Sequence, residues 1–370
     1  MASHLQQLPL ELFYTILGFL DFKSIEKLSL ASRTIRKGCI PSLFECVSST
    51  FSAESFGSLI ELVSSPSIAR HVKTLKYNPT ANLHPATYCK KQLTTLYAPD
   101  LYVDEQGFGH WRDHKGHEMR YSDVMELIKR TAQDQKDIIE NPTDSAMLTM
   151  ALQKLPSLSK FVLHFDWCSF DPSRKLNSVV YHNWGDEDDD ICYYQHHLII
   201  YLQALGLSQS SNSRVTDLRV TKNNLDLDLR ERQIIILQKA FAKIEALTLD
   251  SSDPIFKYLV EERVNMPVLK ELVIMSRYER IRVDELVQFC QRNVRHLEFL
   301  HVKCRLHGDE VECRRRYLPL PILQKLWDIG HCCVLQEAKL NDGLYENNAK
   351  LEALLLRKIA YEDIESAFKR

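Results

Sequence analysis

Histidines, cysteines and carboxylates are the side chains here that could hold a metal, attack a carbonyl or move a proton, so their spacing is read first. His110, His114 and His117 fall within eight residues, a density that can ligate zinc. No H-E-x-x-H accompanies them and no fourth ligand stands at a recognisable interval. Gly107, Gly109 and Gly116 among them mark a loop, so the trio reads as solvated loop histidines. Cys332 and Cys333 are adjacent, and Cys304 and Cys313 are separated by eight residues with His301 and His307 nearby; neither is a zinc-finger interval. The ten cysteines include no C-x-x-C and read as reduced thiols, many of them buried. The acidic run Asp186 to Asp190 reads as solvated, and ahead of a helical pattern it suits the positive end of a helix dipole. There is no G-x-G-x-x-G, no Walker loop and no G-x-S-x-G. Eleven glycines in 370 residues are few for sites built on phosphate-cradling or strained turns. The expectation is a chain with no catalytic residues, no metal and no cofactor.

The totals narrow the class further. At 370 residues the chain is long enough for two or three compact units, at ~150 residues per domain. Its 45% hydrophobic and 26% charged content is that of an ordinary folded protein. A net charge of -2 gives no basic field for nucleic acid, and Arg314-Arg315-Arg316 reads as a solvated loop. The apolar N-terminus lacks early Lys or Arg and is punctuated by Glu11 and Asp21, which does not make a signal peptide. No uncharged apolar run approaches the ~20 residues of a membrane span; Leu198 to Leu207 is half that. The expected address is cytoplasmic, nuclear or both, with neither membrane nor nucleic acid as a partner.

The elements that position any site begin with the run Leu8 to Arg36. Pro9 suits the first turn of a helix. From Leu10 to Leu20 there are eight apolar or aromatic positions, too many for one core-facing stripe. Leu12, Ile16, Phe19 and Leu20 follow one face; Leu10, Phe13, Tyr14 and Leu17 follow another. Asp21 and Ser24 offer caps to a second short helix carrying Ile25, Leu28 and Leu30. A third segment, Ser32 to Val47, carries Ile35, Ile40, Leu43, Phe44 and Val47, with Pro41 as a break or kink. Three short helices in about fifty residues are marginal on their own, so the surplus apolar surface must be buried against something.

This run resembles the F-box, the three-helix module that hooks ubiquitin-ligase adaptors onto a Skp-type linker protein. The resemblance is carried by Leu8-Pro9, Glu11, Ile16-Leu17, Leu20, Ile25, Leu28, Ala31-Ser32-Arg33 and Leu43-Phe44. It departs at Ile35, where the family often has tryptophan or phenylalanine. The motif implies linker contact through Leu8, Pro9, Ile16, Leu20, Ile25 and Leu28.

A second pattern recurs downstream. The phrase apolar-x-x-apolar-x-apolar stands at Val72/Leu75/Tyr77, Leu158/Phe161/Leu163, Val215/Leu218/Val220, Ile244/Leu247/Leu249 and Leu269/Leu272/Ile274. It returns at Val294/Leu297/Phe299 and Leu335/Ala338/Leu340. Helical patterns intervene at Leu229 to Phe241, Pro254 to Arg263, Asp284 to Arg292 and Leu320 to Ile329, and a last one runs from Tyr345 to Arg370. Strand plus helix every 25 to 29 residues through the middle copies resembles the leucine-rich repeat, and Val215, Leu218, Val220, Asn223 and Leu225 make one nearly complete copy. An α/β domain of parallel strands alternating with helices would show similar phrases. Two long segments interrupt the rhythm, 78–143 with a helical stretch at Tyr121 to Glu140, and 166–191 with Trp167, Phe170, Tyr181 and Trp184, which read mostly as core pins.

The expected fold is α/β: a three-helix F-box over 1–50, then a connecting helix, first strand and long insertion over 51–143. An irregular leucine-rich-repeat-like solenoid of alternating strands and helices follows over 144–344, and a capping helix over 345–370. The resemblance implies a non-catalytic substrate receptor of an SCF-type ubiquitin ligase, joined through the linker to a cullin and a RING subunit. Similar chains are the divergent F-box proteins of filamentous fungi. Outward strand residues Arg219, Thr248, Glu271, Val273, Glu298 and Lys339 are the candidate surface for a protein substrate, by alternation alone. A repeat-like interaction scaffold outside any ligase and an unrecognised α/β enzyme are the rival readings.

Overall fold

The computed structural model describes residues 4–79, 111–112, 118–141, 143–164, 190–209, 215–221, 231–250, 253–293, 296–307, 320–340, 348–360 and 363–364. The histidines at 110, 114 and 117, the acidic residues 186–189, Trp167, Phe170, Tyr181, Trp184, Asn223, Leu225, Cys313 and Arg314 to Arg316 lie outside the described residues.

Three helices open the chain, α1 (Leu10–Gly18), α2 (Phe22–Ser29) and α3 (Arg33–Leu43). Then come β1 (Cys46–Thr50), α4 (Ala53–Val63), α5 (Pro66–Ala69), β2 (Thr74–Asn78), β3 (Trp111–Arg112), β4 (Glu118–Met119), α6 (Tyr121–Glu140) and α7 (Thr143–Lys154). Next are β5 (Lys160–His164), α8 (Asp190–Gln209), β6 (Asp217–Thr221), α9 (Glu231–Phe241), β7 (Ala246–Asp250) and α10 (Asp253–Glu261). The chain closes with β8 (Glu271–Arg282), α11 (Val283–Asn293), β9 (Phe299–His307), α12 (Leu320–Cys332), β10 (Glu337–Leu340) and α13 (Asn348–Leu355). No helix among the described residues is long and apolar enough to cross a membrane.

Local chemistry sets several of these boundaries. Asp21, Ser32 and Ser52 each accept the N–H three residues on, at 2.7, 3.2 and 3.2 Å, and so start α2, α3 and α4. Helices α10 and α13 stop where Arg263 (φ 53°) and Arg357 (φ 57°) turn left-handed. The Val264 N–H then reaches the Leu259 carbonyl at 3.1 Å and the Lys358 N–H reaches that of Ala353 at 2.8 Å, closing the helix end with a six-to-one bond.

Eight strands form one parallel sheet in the order β1-β2-β5-β6-β7-β8-β9-β10, and β3 pairs antiparallel with β4. Strand order follows chain order, so successive crossovers advance the same way; being right-handed, they pass over one face. The core agrees. The register row Leu75, Phe161, Leu218, Leu247, Leu272, Leu300 and Ala338 is buried with helix residues Leu148, Tyr201, Phe241, Phe256, Leu286, Leu326 and Leu354 in a single cluster. Alternate residues point the other way and are mostly half-buried or exposed. Parallel sheets are ordinarily covered on both faces and read as continuous apolar runs. Here polar residues alternate with apolar ones, because among the described residues helices cover one face while the side chains of the other are mostly half-buried or exposed.

Four details differ from the sequence expectation. Strand β1 is additional to it: the strand starts the sheet inside residues 1–50 and takes Val47 from the third helix. Its inward residues are only Val47 and Ser49, the latter satisfied by Ser55 Oγ at 3.2 Å, so the apolar alternation is too thin to read. Helix α7 is likewise additional. The terminal helix ends at Leu355 instead of running to Arg370, for the left-handed reason given above. Finally, the sixth phrase sits three residues later than expected, at Leu297/Leu300/Val302, since both positions satisfy the pattern and only strand pairing decides between them. The central residues Leu218, Leu247, Leu272, Leu300 and Ala338 are therefore 29, 25, 28 and 38 apart.

Candidate interaction surfaces

The N-terminal helices make a core of their own. Phe13 and Leu17 of α1, Ile25 of α2, and Ile35 and Cys39 of α3 are buried together, flanked by Leu5, Leu28 and Leu43. Helix α1 can approach α3 this closely because residue 38 is glycine: a Cβ there would meet the Phe13 ring at 2.7 Å. Arg36 Nε donates to the Ser29 carbonyl at 3.2 Å and ties α3 to the end of α2. Ile35, at the position of the departure, is buried in this core.

This small core leaves much apolar surface outside. Leu12, Ile16, Phe19 and Leu20 form a stripe beside the buried one on α1, and all four are exposed, Phe19 at 86%. Leu10 and Tyr14 flank the other side, and Phe22 (60%) and Leu30 (69%) project from the two ends of α2. Eight of the fourteen exposed large apolar side chains among the described residues thus lie between positions 10 and 30. Taking ~200 Å² for a fully exposed side chain of this size, the four of the stripe alone present roughly 420 Å², within the ~300–600 Å² of the largest, often functional, patch on a typical monomer.

Of the residues expected to meet a linker, Pro9, Ile16 and Leu20 are exposed and Leu8 is half-buried. Ile25 is turned into the module's own core, and Leu28 packs against that core half-buried. Helical periodicity already sets Leu12 and Phe19 on the face of Ile16 and Leu20. It does not distinguish Phe22 and Leu30, because residues at helix ends carry no periodic signal.

The open face of the sheet is the second surface. Arg219, Thr248, Val273, His301 and Lys339 stand side by side in one register row, which brings four of the six substrate-surface candidates together. Glu271 belongs to the neighbouring row, Asp217, Ala246, Glu271, Phe299 and Glu337. Glu298 does not share this face. It has the parity of buried Leu300 and Val302 and lies at the sheet's N-terminal edge, where Gln336 Nε2 donates to its carboxylate at 3.1 Å. The three-residue shift of the phrase explains both the error and the two residues missed, Phe299 and His301.

Charges on and around this face are largely paired. Lys160 meets Asp217 at 2.6 Å and Arg219 approaches Asp250 at 3.8 Å. Along the edge, Lys73 meets Glu45 at 3.0 Å and Lys270 meets Glu245 at 2.7 Å, a contact that holds the Lys270 ammonium above its ordinary value. Lys339 pairs with Glu337, whose carboxyl is held below the usual range by that hydrogen bond. Desolvation, then Lys339 and Lys303, hold His301 down and so favour the neutral ring. A depression of about 210 Å³ lies here, lined by Glu271, Val273, Phe299, Leu300, His301, Glu337 and Lys339.

Perturbed titrating groups also occur away from both surfaces. Tyr77 Oη and His197 Nδ1 are 3.1 Å apart in the core, with the Phe51 ring 4.5 Å from the imidazole. Burial pushes the Tyr77 phenol well up and, with His196 beside it, pushes His197 well down. Both are neutral, and the hydrogen bond satisfies both. Nearby, the fully buried Asp144 accepts from His196 Nε2 at 2.9 Å and from the Ser145 N–H at 2.7 Å. These contacts tie β2, α7 and α8 together, and none of the four side chains lines the depression on the open face. Compared with known proteins, the chain matches no family model and none of the curated sequences.

Proposed function

We propose that the chain is a substrate-receptor subunit of an SCF-type ubiquitin ligase. Helices α1 to α3 act as an F-box that docks a Skp-type linker protein, and the sheet acts as an irregular leucine-rich-repeat-like domain that holds the protein to be modified. The observation that carries this reading is the apolar stripe Leu12, Ile16, Phe19 and Leu20, exposed on a module that already has a complete core. A surface of this kind is costly in water and calls for a protein partner. The strand order and the single helix-covered face support the repeat-like half of the reading. No chemistry is asked of the chain itself: the linker joins a cullin and a RING subunit, and tethering the target raises the effective concentration of its lysines at the conjugating enzyme.

The test is co-expression with a Skp-type linker protein and size exclusion, for wild type and for an Ile16→Asp/Phe19→Asp pair. Phe19 is 86% and Ile16 37% exposed, and the helical circular dichroism of the free variant checks that its fold is kept. A one-to-one complex for wild type that the pair fails to form is the expected result. Wild type eluting alone would overturn the docking reading. Co-purification of a cullin with the complex separates a ligase subunit from a scaffold that merely binds the linker.

A further inference from the structure

We propose that the depression between β8, β9 and β10 receives an arginine side chain from the protein bound on the open face. This deepens the proposed function and rests on it, since it takes that face to be the substrate surface. Phe299 is one of the few large apolar side chains exposed outside the N-terminal module, and it stands in register with Glu271 on one side and Glu337 on the other. Neighbouring strands are ~4.8 Å apart, so a carboxylate rises on each flank of the ring. Among the described residues Glu271 has no ion-pair partner, whereas Glu337 shares Lys339. Val273 and His301 lie in the next row and provide a surface for an aliphatic stem.

That combination selects among guests. An apolar side chain on Phe299 would strip water from Glu271 and leave its charge unpaired. An anionic guest would meet two carboxylates, and the ammonium that lines the depression, Lys339, is already engaged by Glu337. A cation stacked on the ring gains from the aromatic face and from Glu271 at once. Arginine does so better than lysine, because its planar fork can lie flat on Phe299 while its edge donates to a carboxylate. At about 210 Å³ the depression is smaller than the ~300–1,000 Å³ of small-molecule sites, so it suits one side chain and not a cofactor.

The experiment measures the full chain against a fluorescein-labelled peptide, Gly-Ser-Gly-Ser-Arg-Ser-Gly-Ser-Gly, and against the same peptide with citrulline for arginine. Citrulline keeps the shape and removes the charge. The arginine peptide should bind at least about fivefold more tightly, and Glu271→Gln and Phe299→Leu should each abolish the difference. Equal binding of the two peptides, or an arginine preference that survives both variants, would overturn the proposal. No linker protein is present in the assay, so a failure here leaves the docking result standing, and a failed linker complex leaves this measurement readable.

Discussion

Replacing Phe19 by alanine separates a docking face from a piece of buried core. With 86% of its surface exposed, Phe19 offers roughly 170 Å² of apolar area to a partner, at ~200 Å² for the free side chain. At ~25 cal/mol per Å² its complete burial is worth about 4 kcal/mol, and alanine retains a minor share, so truncation should weaken linker binding by ~2–3 kcal/mol. That is roughly a 30- to 150-fold rise in Kd. The free protein has little of this ring covered, and its stability should move by no more than ~0.5 kcal/mol. Phe13→Ala is the matched control: this ring is buried against α3, and its removal should cost ~3–5 kcal/mol, enough to melt so small a module. Calorimetric titration with a Skp-type linker gives Kd, and loss of helical circular dichroism on heating gives stability. If Phe19→Ala destabilises the free chain as Phe13→Ala does, or binds the linker as wild type does, the exposed stripe is not a docking surface.

Two glycines give opposite expectations for one substitution. A Cβ on Gly330 of α12 would lie 2.3 Å from the Leu355 carbonyl oxygen, a backbone atom that cannot rotate aside, so Gly330→Ala should destabilise by about 2 kcal/mol as α12 and α13 separate. Gly57 sits in α4, and a methyl group there would have nothing within 4 Å, so Gly57→Ala should stabilise by ~0.5–1 kcal/mol; urea midpoints of the two variants check both signs. Acid should weaken the fold through His197. Its folded pKa is depressed, so near pH 6 the unfolded chain binds the extra proton, stability rises with pH, and it is lost as pH falls below the unfolded value of about 6.5. His71 and His301 are depressed too and act in the same direction, so the quantity to compare is the slope of wild type minus that of His197→Gln. Urea melts between pH 5 and 7.5 should show a shallower slope for the variant, by up to ~1.4 kcal/mol per pH unit; identical slopes would remove His197 from the account.

Much of the architecture is legible in the sequence because its signals are local. Asp21, Ser32 and Ser52 mark helix starts by their own side chains, and the boundaries of α6 at Tyr121 and Glu140 coincide with the apolar period. The helix-covered face is legible in the repeated apolar phrase, whose three residues are buried in every copy but the last, where Leu335 is half-buried. What escapes is non-local. Strand β1 has one apolar inward residue and exists because β2 pairs with it, residue by residue from Cys46↔Thr74 to Thr50↔Asn78. The surplus on α1 is visible in composition, yet its division into core and surface is not. Phe13 and Leu17 go inside while Leu10 and Tyr14, on the same side of the helix, stay out because α3 crosses only part of that side.

The clearest case is the stretch Val294 to Val302, where two overlapping phrases compete. Both put Leu297 inside. They differ in whether Phe299 is core and Glu298 surface, or Glu298 edge and Phe299 surface. Sequence favours the first, since a phenylalanine costs more to expose than a glutamate. Pairing chooses the second: Leu300 must face Leu272 and Val302 must face Ile274, and sliding β9 by three residues would turn both away from the helices. The ring, 37% exposed, is therefore turned to this face by the burial of Leu300 and Val302 on either side of the pattern. A partly exposed aromatic ring between two carboxylates is the point on this face where a partner has most to add.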